Sequence, residues 1–268
     1  MRNRLNYIAQ LVVVLGGVLS MKFYYSAASV NQLRWILGPT TVLVEFVTGR
    51  QFTFESHAGY MSSDHTFLIA ASCAGVNFLI TAFLMLMIRH LWRQGSKHNQ
   101  EQLWRQWVFL PFAAGVAYAT TLIANTARIA VALLIQQTSF RVAGLDAEQL
   151  HRLEGILVYF GFLLLLFVLG ERSRTTPEKG PRFSLLRASL FPLLIYYAMT
   201  LALPLVNGAY RQRSFWEHAF FVLLAPAGIV LVIGVFDKLQ FVVRCSATQR
   251  SGTQSVSRHV GIADGCEA

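Results

Sequence analysis

Long apolar segments constrain the fold of this chain more than any other feature. A helix needs about 20 mostly apolar residues to cross a bilayer. Six segments approach or exceed that length: residues 7–25, 67–88, 107–135, 153–169, 188–206 and 215–236. A seventh, residues 33–47, is shorter and is broken by Gly38-Pro39, which favours an interfacial or re-entrant helix. The pattern predicts an all-α polytopic membrane protein with about six transmembrane helices and one short additional helix.

The charge content agrees with a membrane protein. Charged residues make up 13% of the chain and hydrophobic residues 54%, whereas an average soluble domain is about 25% charged. These values exclude a disordered chain, a collagen-like chain and an ordinary cytosolic enzyme. The net charge of +10 first suggests a nucleic-acid partner, so the positions of the charges decide what it means.

The basic residues follow the predicted membrane topology. When the N-terminus is placed in the cytoplasm, 15 of the 23 Lys and Arg residues fall in cytoplasmic pieces, as the positive-inside rule expects. The acidic residues divide almost evenly between the two sides. The sequence therefore predicts that both termini are cytoplasmic, and the basic residues give no support for a nucleic-acid partner.

Composition divides the chain into four parts. Residues 1–170 form a membrane core that holds the first four predicted spans. Residues 171–187 are a basic cytoplasmic linker with Thr-Thr-Pro and Gly-Pro turns. Residues 188–236 form an accessory pair of transmembrane helices. Residues 237–268, rich in Ser, Gly, Gln and Thr towards the end, are predicted to be a flexible cytoplasmic tail.

Three chemically active side chains fall at one predicted membrane depth. Arg128 lies 21 residues beyond Trp107, about 31 Å along a helix, and Cys73 lies 16 residues before Arg89, about 24 Å. Both positions are near the outer face, where His151 opens the fourth span. Ionisable residues inside a membrane are costly and are functional candidates. The plainer alternatives are a snorkelling arginine and a small buried cysteine.

These residue types suit nucleophilic catalysis. A thiolate is a nucleophile whose pKa a nearby cation lowers, and a histidine can act as base and then protonate a leaving amine. An arginine can stabilise the thiolate or a developing oxyanion. Cys73 has no disulfide partner on its side, because Cys245 and Cys266 fall on the cytoplasmic side. Other outer-face residues stay open as the base (His57, His65 or His218) or as the group that orients it (Asp64 or Glu154).

Three short motifs resemble those of the exosortase/archaeosortase family. Residues 72–78 are Ser-Cys-Ala-Gly-Val-Asn-Phe, residues 125–129 are Asn-Thr-Ala-Arg-Ile, and Gly155 follows His151 by four residues. The first motif is similar to that of the exosortase K subgroup. The similarity covers roughly residues 30–170, and its upstream part includes Pro39, Thr48-Gly49, Phe54 and Gly59-Tyr60.

The resemblance implies a cysteine protease or transpeptidase of the bacterial cytoplasmic membrane, with its active site facing outwards. Its substrates would be secreted proteins with a PEP-CTERM-like C-terminal sorting signal: a short motif, a transmembrane helix and a basic end. Motif matching makes Cys73 the nucleophile, Arg128 the stabilising cation and His151 the acid/base. The supporting residues would be Asn77, Asn125, Gly75, Gly155 and Glu154. The expected partners are these substrates and membrane lipid, with no nucleic acid, metal or organic cofactor.

Two other functions compete with this interpretation. The first is a small transporter in which Arg128 is the counter-charge to the substrate. It would need polar residues across the inner half of the bundle, whereas the polar residues of interest cluster at one face. The second is a membrane acyl- or glycosyltransferase that uses His151 as base, in which Cys73 would be dispensable.

Overall fold

The computed structural model describes residues 2–96, 103–138, 144, 146–172, 185–206, 211 and 213–252, and this part is mostly helical. The helices are α1 (Arg2–Ala27), α2 (Arg34–Thr48), α3 (Val76–Ser96), α4 (Leu103–Thr138), α5 (Ala147–Arg172), α6 (Leu185–Tyr197), α7 (Leu203–Val206) and α8 (Arg213–Gly252). A π-helical segment, Ala198–Ala202, joins α6 to α7. Three short strands lie between α2 and α3: β1 (Phe52–Glu55), β2 (Gly59–Ser62) and β3 (Leu68–Ile69).

Five helices in the described part are long and apolar enough to cross a membrane, which agrees with the predicted membrane character. Their apolar spans are Leu5–Ala27, Ala71–Arg93, Trp107–Thr138, Glu148–Glu171 and Phe215–Leu239. The segment predicted as the span 188–206 instead begins as a shorter apolar helix, Leu185–Leu201. Large apolar side chains such as Phe23 and Leu231 are exposed on these helices, as expected where lipid is the solvent.

Helix α2 continues through Gly38-Pro39, where the sequence predicted a break. Pro39 has no N–H to donate to the carbonyl of Trp35, four residues earlier. The hydroxyl of Tyr118 on α4 donates to that carbonyl instead, at 2.7 Å, and the Tyr118 ring stacks on the Trp35 ring with 5.8 Å between centroids. Because a neighbouring helix satisfies the carbonyl, the proline does not end α2.

A small antiparallel sheet qualifies the all-α prediction. Its strand order is β1-β2-β3, and it connects α2 to the region before α3. Gly59 lies in the glycine-favouring region at φ +135°. A Cβ there would lie 2.2 Å from the carbonyl oxygen of Ile69, so only glycine allows β2 and β3 to approach this closely.

The second apolar segment begins its helix later than predicted. After β3, a 3-10 turn forms over Ala71–Ala74, and α3 starts only at Val76. Gly75 separates the two in the left-handed region at φ +70°, which interrupts the helical backbone. Cys73 therefore lies in a 3-10 turn before α3, at the start of the apolar span Ala71–Arg93.

Helices α6 and α8 share one hydrophobic core with the first five helices. Buried Phe160 and Leu163 of α5 belong to the same cluster as Ile195 of α6 and Val222 of α8. The Phe160 ring meets the Tyr196 ring edge-on at 5.7 Å. Helix α8 continues to Gly252, so the boundary predicted at residue 237 lies inside a helix. Residues 173–184 of the predicted linker and 253–268 of the predicted tail lie outside the described residues.

An ion-pair cluster joins α3 to α5 at one end of the bundle. Glu171 accepts from Arg89 and from Arg93, each at 2.6 Å, and Arg89 also donates to the carbonyl of Gly170 at 3.0 Å. We call the end of the bundle that holds this cluster the basic end. Because the cluster fixes the relative height of α3 and α5, it also sets the positions of the residues at the opposite end, where the candidate site lies.

Candidate active site

The turn that carries Cys73 is held by a buried side chain of α4. The amide of Asn125 donates to the backbone carbonyl of Cys73 at 2.5 Å, and Asn125 is fully buried. Gly75 packs directly against this contact, because a Cβ there would lie 3.3 Å from both Asn125 and Thr121. The first two motifs therefore meet, with Asn125 positioning the backbone of the cysteine-bearing turn.

Tyr159 of α5 extends this contact to Arg128. Its hydroxyl donates to the Asn125 side-chain oxygen at 2.9 Å and accepts from the Arg128 guanidinium at 3.2 Å. The ring of Phe78 stacks on the Tyr159 ring with 5.0 Å between centroids. Tyr159 was not among the site residues predicted from the sequence, although it lies one helical turn beyond Gly155 and therefore on the same face of α5.

Gly155 makes room for the Arg128 side chain. A Cβ at this position would lie 2.9 Å from the Arg128 Nε atom, closer than carbon and nitrogen atoms approach in proteins. The guanidinium therefore passes α5 at a point without a side chain. This contact gives a physical reason for the four-residue spacing between His151 and Gly155, which lie on one face of the helix.

His151 lies between Arg128 and Glu154. Its Nε2 is 3.2 Å from Arg128 Nη2, and its Nδ1 is 3.3 Å from Glu154 Oε2. Arginine can only donate hydrogen bonds, so Nε2 accepts and the ring proton is assigned to Nδ1, facing the carboxylate. Glu154 is only 6% exposed. Of the two acids predicted to orient a histidine, the structure therefore places Glu154 beside His151.

Asp64, the other acid, lies outside this network. Its carboxylate accepts from the Ser62 hydroxyl at 2.6 Å and from the Thr66 backbone N–H at 3.2 Å. These hydrogen bonds, led by that of Ser62, lower the pKa of Asp64 to about 2. Arg50 lies 3.5 Å away. Asp64 therefore organises the loop between β2 and β3.

The Cys73 thiol shares the electrostatic environment of Arg128 and Tyr159, which lie close enough for charge on the sulfur to act on them. Within the described residues, no hydrogen bond joins its Sγ to His151. The arrangement places a permanent cation near the thiol and in contact with the histidine.

Asn77, a predicted supporting residue, contacts α1. Its side-chain oxygen accepts from the Lys22 ammonium at 2.7 Å, and its own side chain is exposed. Lys22 was not among the site residues predicted from the sequence. Its signal was available, because a lysine within an apolar segment is costly and therefore a functional candidate.

A cavity of about 590 Å³ adjoins these residues. Arg128, Gly155 and Tyr159 form part of its wall, together with Tyr196 of α6 and His218 of α8. The C-terminal helices thus complete a site that the motif resemblance does not cover. Of the alternative bases, His218 lines the cavity, whereas His57 and His65 lie in the turns of the sheet. In the part of the chain that the structure describes, no group of three His, Cys, Asp or Glu residues could hold a metal ion.

Comparisons with protein-family models, with curated proteins and with solved structures find no match to this chain. The resemblance to the three motifs therefore stays a prediction.

Proposed function

We propose that this protein is a membrane-embedded cysteine protease or transpeptidase, which cleaves secreted proteins that bear a C-terminal sorting signal. One observation carries the proposal. A continuous network of hydrogen bonds runs from the Cys73 backbone through Asn125, Tyr159 and Arg128 to His151. Three short motifs that are far apart in sequence meet in this network beside a cavity.

In the proposed reaction, the thiol proton passes to His151 and the sulfur attacks the scissile carbonyl carbon. The resulting imidazolium is stabilised by Glu154, and it then protonates the leaving amine as the C–N bond breaks. The thioester that remains is resolved by water or by an acceptor amine, which restores the thiol. In the structure the Arg128 guanidinium donates to Nε2 of His151, so this nitrogen is not free to accept the thiol proton. Turning of Arg128 towards the developing oxyanion would free this nitrogen and place the cation where negative charge forms.

The proposed topology has six transmembrane spans, two cytoplasmic termini and a site at the outer face of the bacterial cytoplasmic membrane. The excess of Lys and Arg in the pieces assigned to the cytoplasm supports it. In this topology a substrate with a single transmembrane helix lies beside the bundle. Its junction with the secreted domain then reaches the depth of Cys73.

The test of the proposed function is replacement of Cys73 by Ala and by Ser. A secreted protein with a C-terminal helix and a basic tail, from the same genome, is co-expressed, and its processing is followed by its change in mass. Cys73→Ala is expected to abolish processing because it removes the proposed nucleophile. Cys245→Ala, which removes a cysteine from the far end of α8, is the matched control and should process normally. Unchanged processing in Cys73→Ala would refute the cysteine mechanism.

A second candidate, an acyl- or glycosyltransferase, is favoured by the contact of His151 with buried Glu154. This pair suits a general base that works without a thiol. Its signature would be an activity that survives Cys73→Ala and is lost in His151→Ala.

A further inference from the structure

Four basic side chains from four helices line the cavity. They are Lys22 of α1, Arg128 of α4, Arg152 of α5 and His218 of α8. No acidic side chain lines the cavity within the described residues. The like charges of Lys22, Arg128 and Arg152 converge on this cavity and repel one another. The arrangement is therefore suited to an anion in the cavity.

The nearby acidic side chains do not supply this negative charge. Lys22 donates to the neutral side chain of Asn77, and no acid in the part that the structure describes forms an ion pair with it. Glu148 pairs with Arg152 from a position with 74% of its side chain exposed, and Glu154 contacts His151. The basic wall of the cavity is thus only partly neutralised.

Three of the four basic residues lie near the ends of their apolar spans. Lys22 is one turn before the end of Leu5–Ala27, and Arg152 is one turn after the start of Glu148–Glu171. His218 follows the start of Phe215–Leu239 by three residues. In a bilayer this depth corresponds to the lipid headgroups. The rest of the wall includes apolar side chains that could contact an acyl chain, namely Val76, Ile156, Met199, Pro204 and Phe215.

From these observations we infer that the cavity binds a phosphate ester with a net negative charge, presented either by an anionic phospholipid or by a soluble molecule. A phosphate group has several oxygens and can accept from an ammonium and a guanidinium at once. Basic pockets between transmembrane helices bind lipid headgroups by this chemistry. The inference concerns binding alone and holds whether or not Cys73 is a nucleophile.

The test measures lipid retention by the purified full-length protein with native mass spectrometry. The protein is first held in mixed micelles of detergent with phosphatidylglycerol or phosphatidylcholine and is then exchanged into detergent alone. The number of lipid molecules that stay bound to each protein is counted. One retained phosphatidylglycerol and no retained phosphatidylcholine are expected. The double variant Lys22→Gln/Arg152→Gln should weaken retention roughly tenfold or more, because it removes two charge-assisted hydrogen bonds. Lys238→Gln, an exposed site on α8 at the basic end, is the matched control and should retain the lipid.

A second arm identifies the source of the phosphate group. Displacement of the lipid by glycerol phosphate, or binding of glycerol phosphate alone, would support a soluble ester. Retention of phosphatidylglycerol in excess glycerol phosphate would support a lipid. The inference is overturned if the two lipids are retained equally, or if neither phosphatidylglycerol nor glycerol phosphate binds. It is also overturned if the double variant retains phosphatidylglycerol as the native chain does.

Discussion

At the residue scale, the site depends on two glycines as much as on its reactive side chains. Gly155 leaves the space through which the Arg128 guanidinium passes, and Gly75 allows Asn125 to reach the backbone of Cys73. A bulkier residue at either position would separate groups that now touch. These glycines therefore act as positioning residues, and their effect can be separated from general effects on helix stability.

Gly155→Ala is expected to displace Arg128 and slow substrate processing at least roughly tenfold, because small misplacements of catalytic groups are costly. Gly161→Ala is the matched control on the same helix, since a Cβ there meets nothing within 4 Å. It should process normally and raise the free energy of unfolding by up to about 1 kcal/mol. Processing assays and thermal unfolding of both variants check this. Equal processing by the two variants would show that Gly155 does not position the site.

At the element scale, helix α2 shows how a neighbouring helix can override a local signal. Gly38-Pro39 predicts a break because proline leaves the carbonyl of Trp35 without its helical donor. The hydroxyl of Tyr118 supplies that donor from α4. Tyr118 and Trp35 are 83 positions apart, so the sequence of α2 alone does not reveal this hydrogen bond.

Tyr118→Phe is expected to destabilise the protein by about 1–3 kcal/mol, because it leaves the Trp35 carbonyl without a partner. In the double variant Pro39→Ala/Tyr118→Phe, the backbone N–H of residue 39 can donate to that carbonyl, and most of the loss should be recovered. Chemical unfolding of the two single variants and the double variant gives the coupling energy. Strictly additive effects would mean that the hydroxyl does not replace the missing helical donor.

At the scale of the whole molecule, the bundle has two chemically different ends. The basic end holds the cluster of Arg89, Arg93 and Glu171. The opposite end holds the sheet, the turn with Cys73 and the cavity. Helices α6 and α8 contribute Tyr196 and His218 to that cavity, so the C-terminal pair forms part of the candidate site.

The proposed orientation predicts which end is reached from outside. In a chain whose three cysteines are replaced by Ser, Ser56→Cys in the turn of the sheet should react with a membrane-impermeant maleimide in intact spheroplasts. Lys238→Cys, at the basic end of α8, should react only after permeabilisation. Labelling is read by the shift in protein mass. The reverse pattern would place the site in the cytoplasm and would rule out action on secreted proteins.

The sequence by itself determined the membrane character, most of the helices and the candidates Cys73, Arg128 and His151. These features follow from local composition, because an apolar helix in lipid satisfies its own backbone hydrogen bonds. The apolar run of residues 67–88 nevertheless concealed the turn at Cys73, since the left-handed backbone of Gly75 leaves no trace in hydrophobicity.

Only the tertiary structure decided how the candidates are connected. Tyr159 became visible because α4 and α5 pack together and bring its hydroxyl between Asn125 and Arg128. Lys22 gained its place in the cavity because α1 packs against α3. These contacts join residues that are 31 or more positions apart, and the hydrophobic pattern specifies which face of each helix is apolar without specifying which side chains meet.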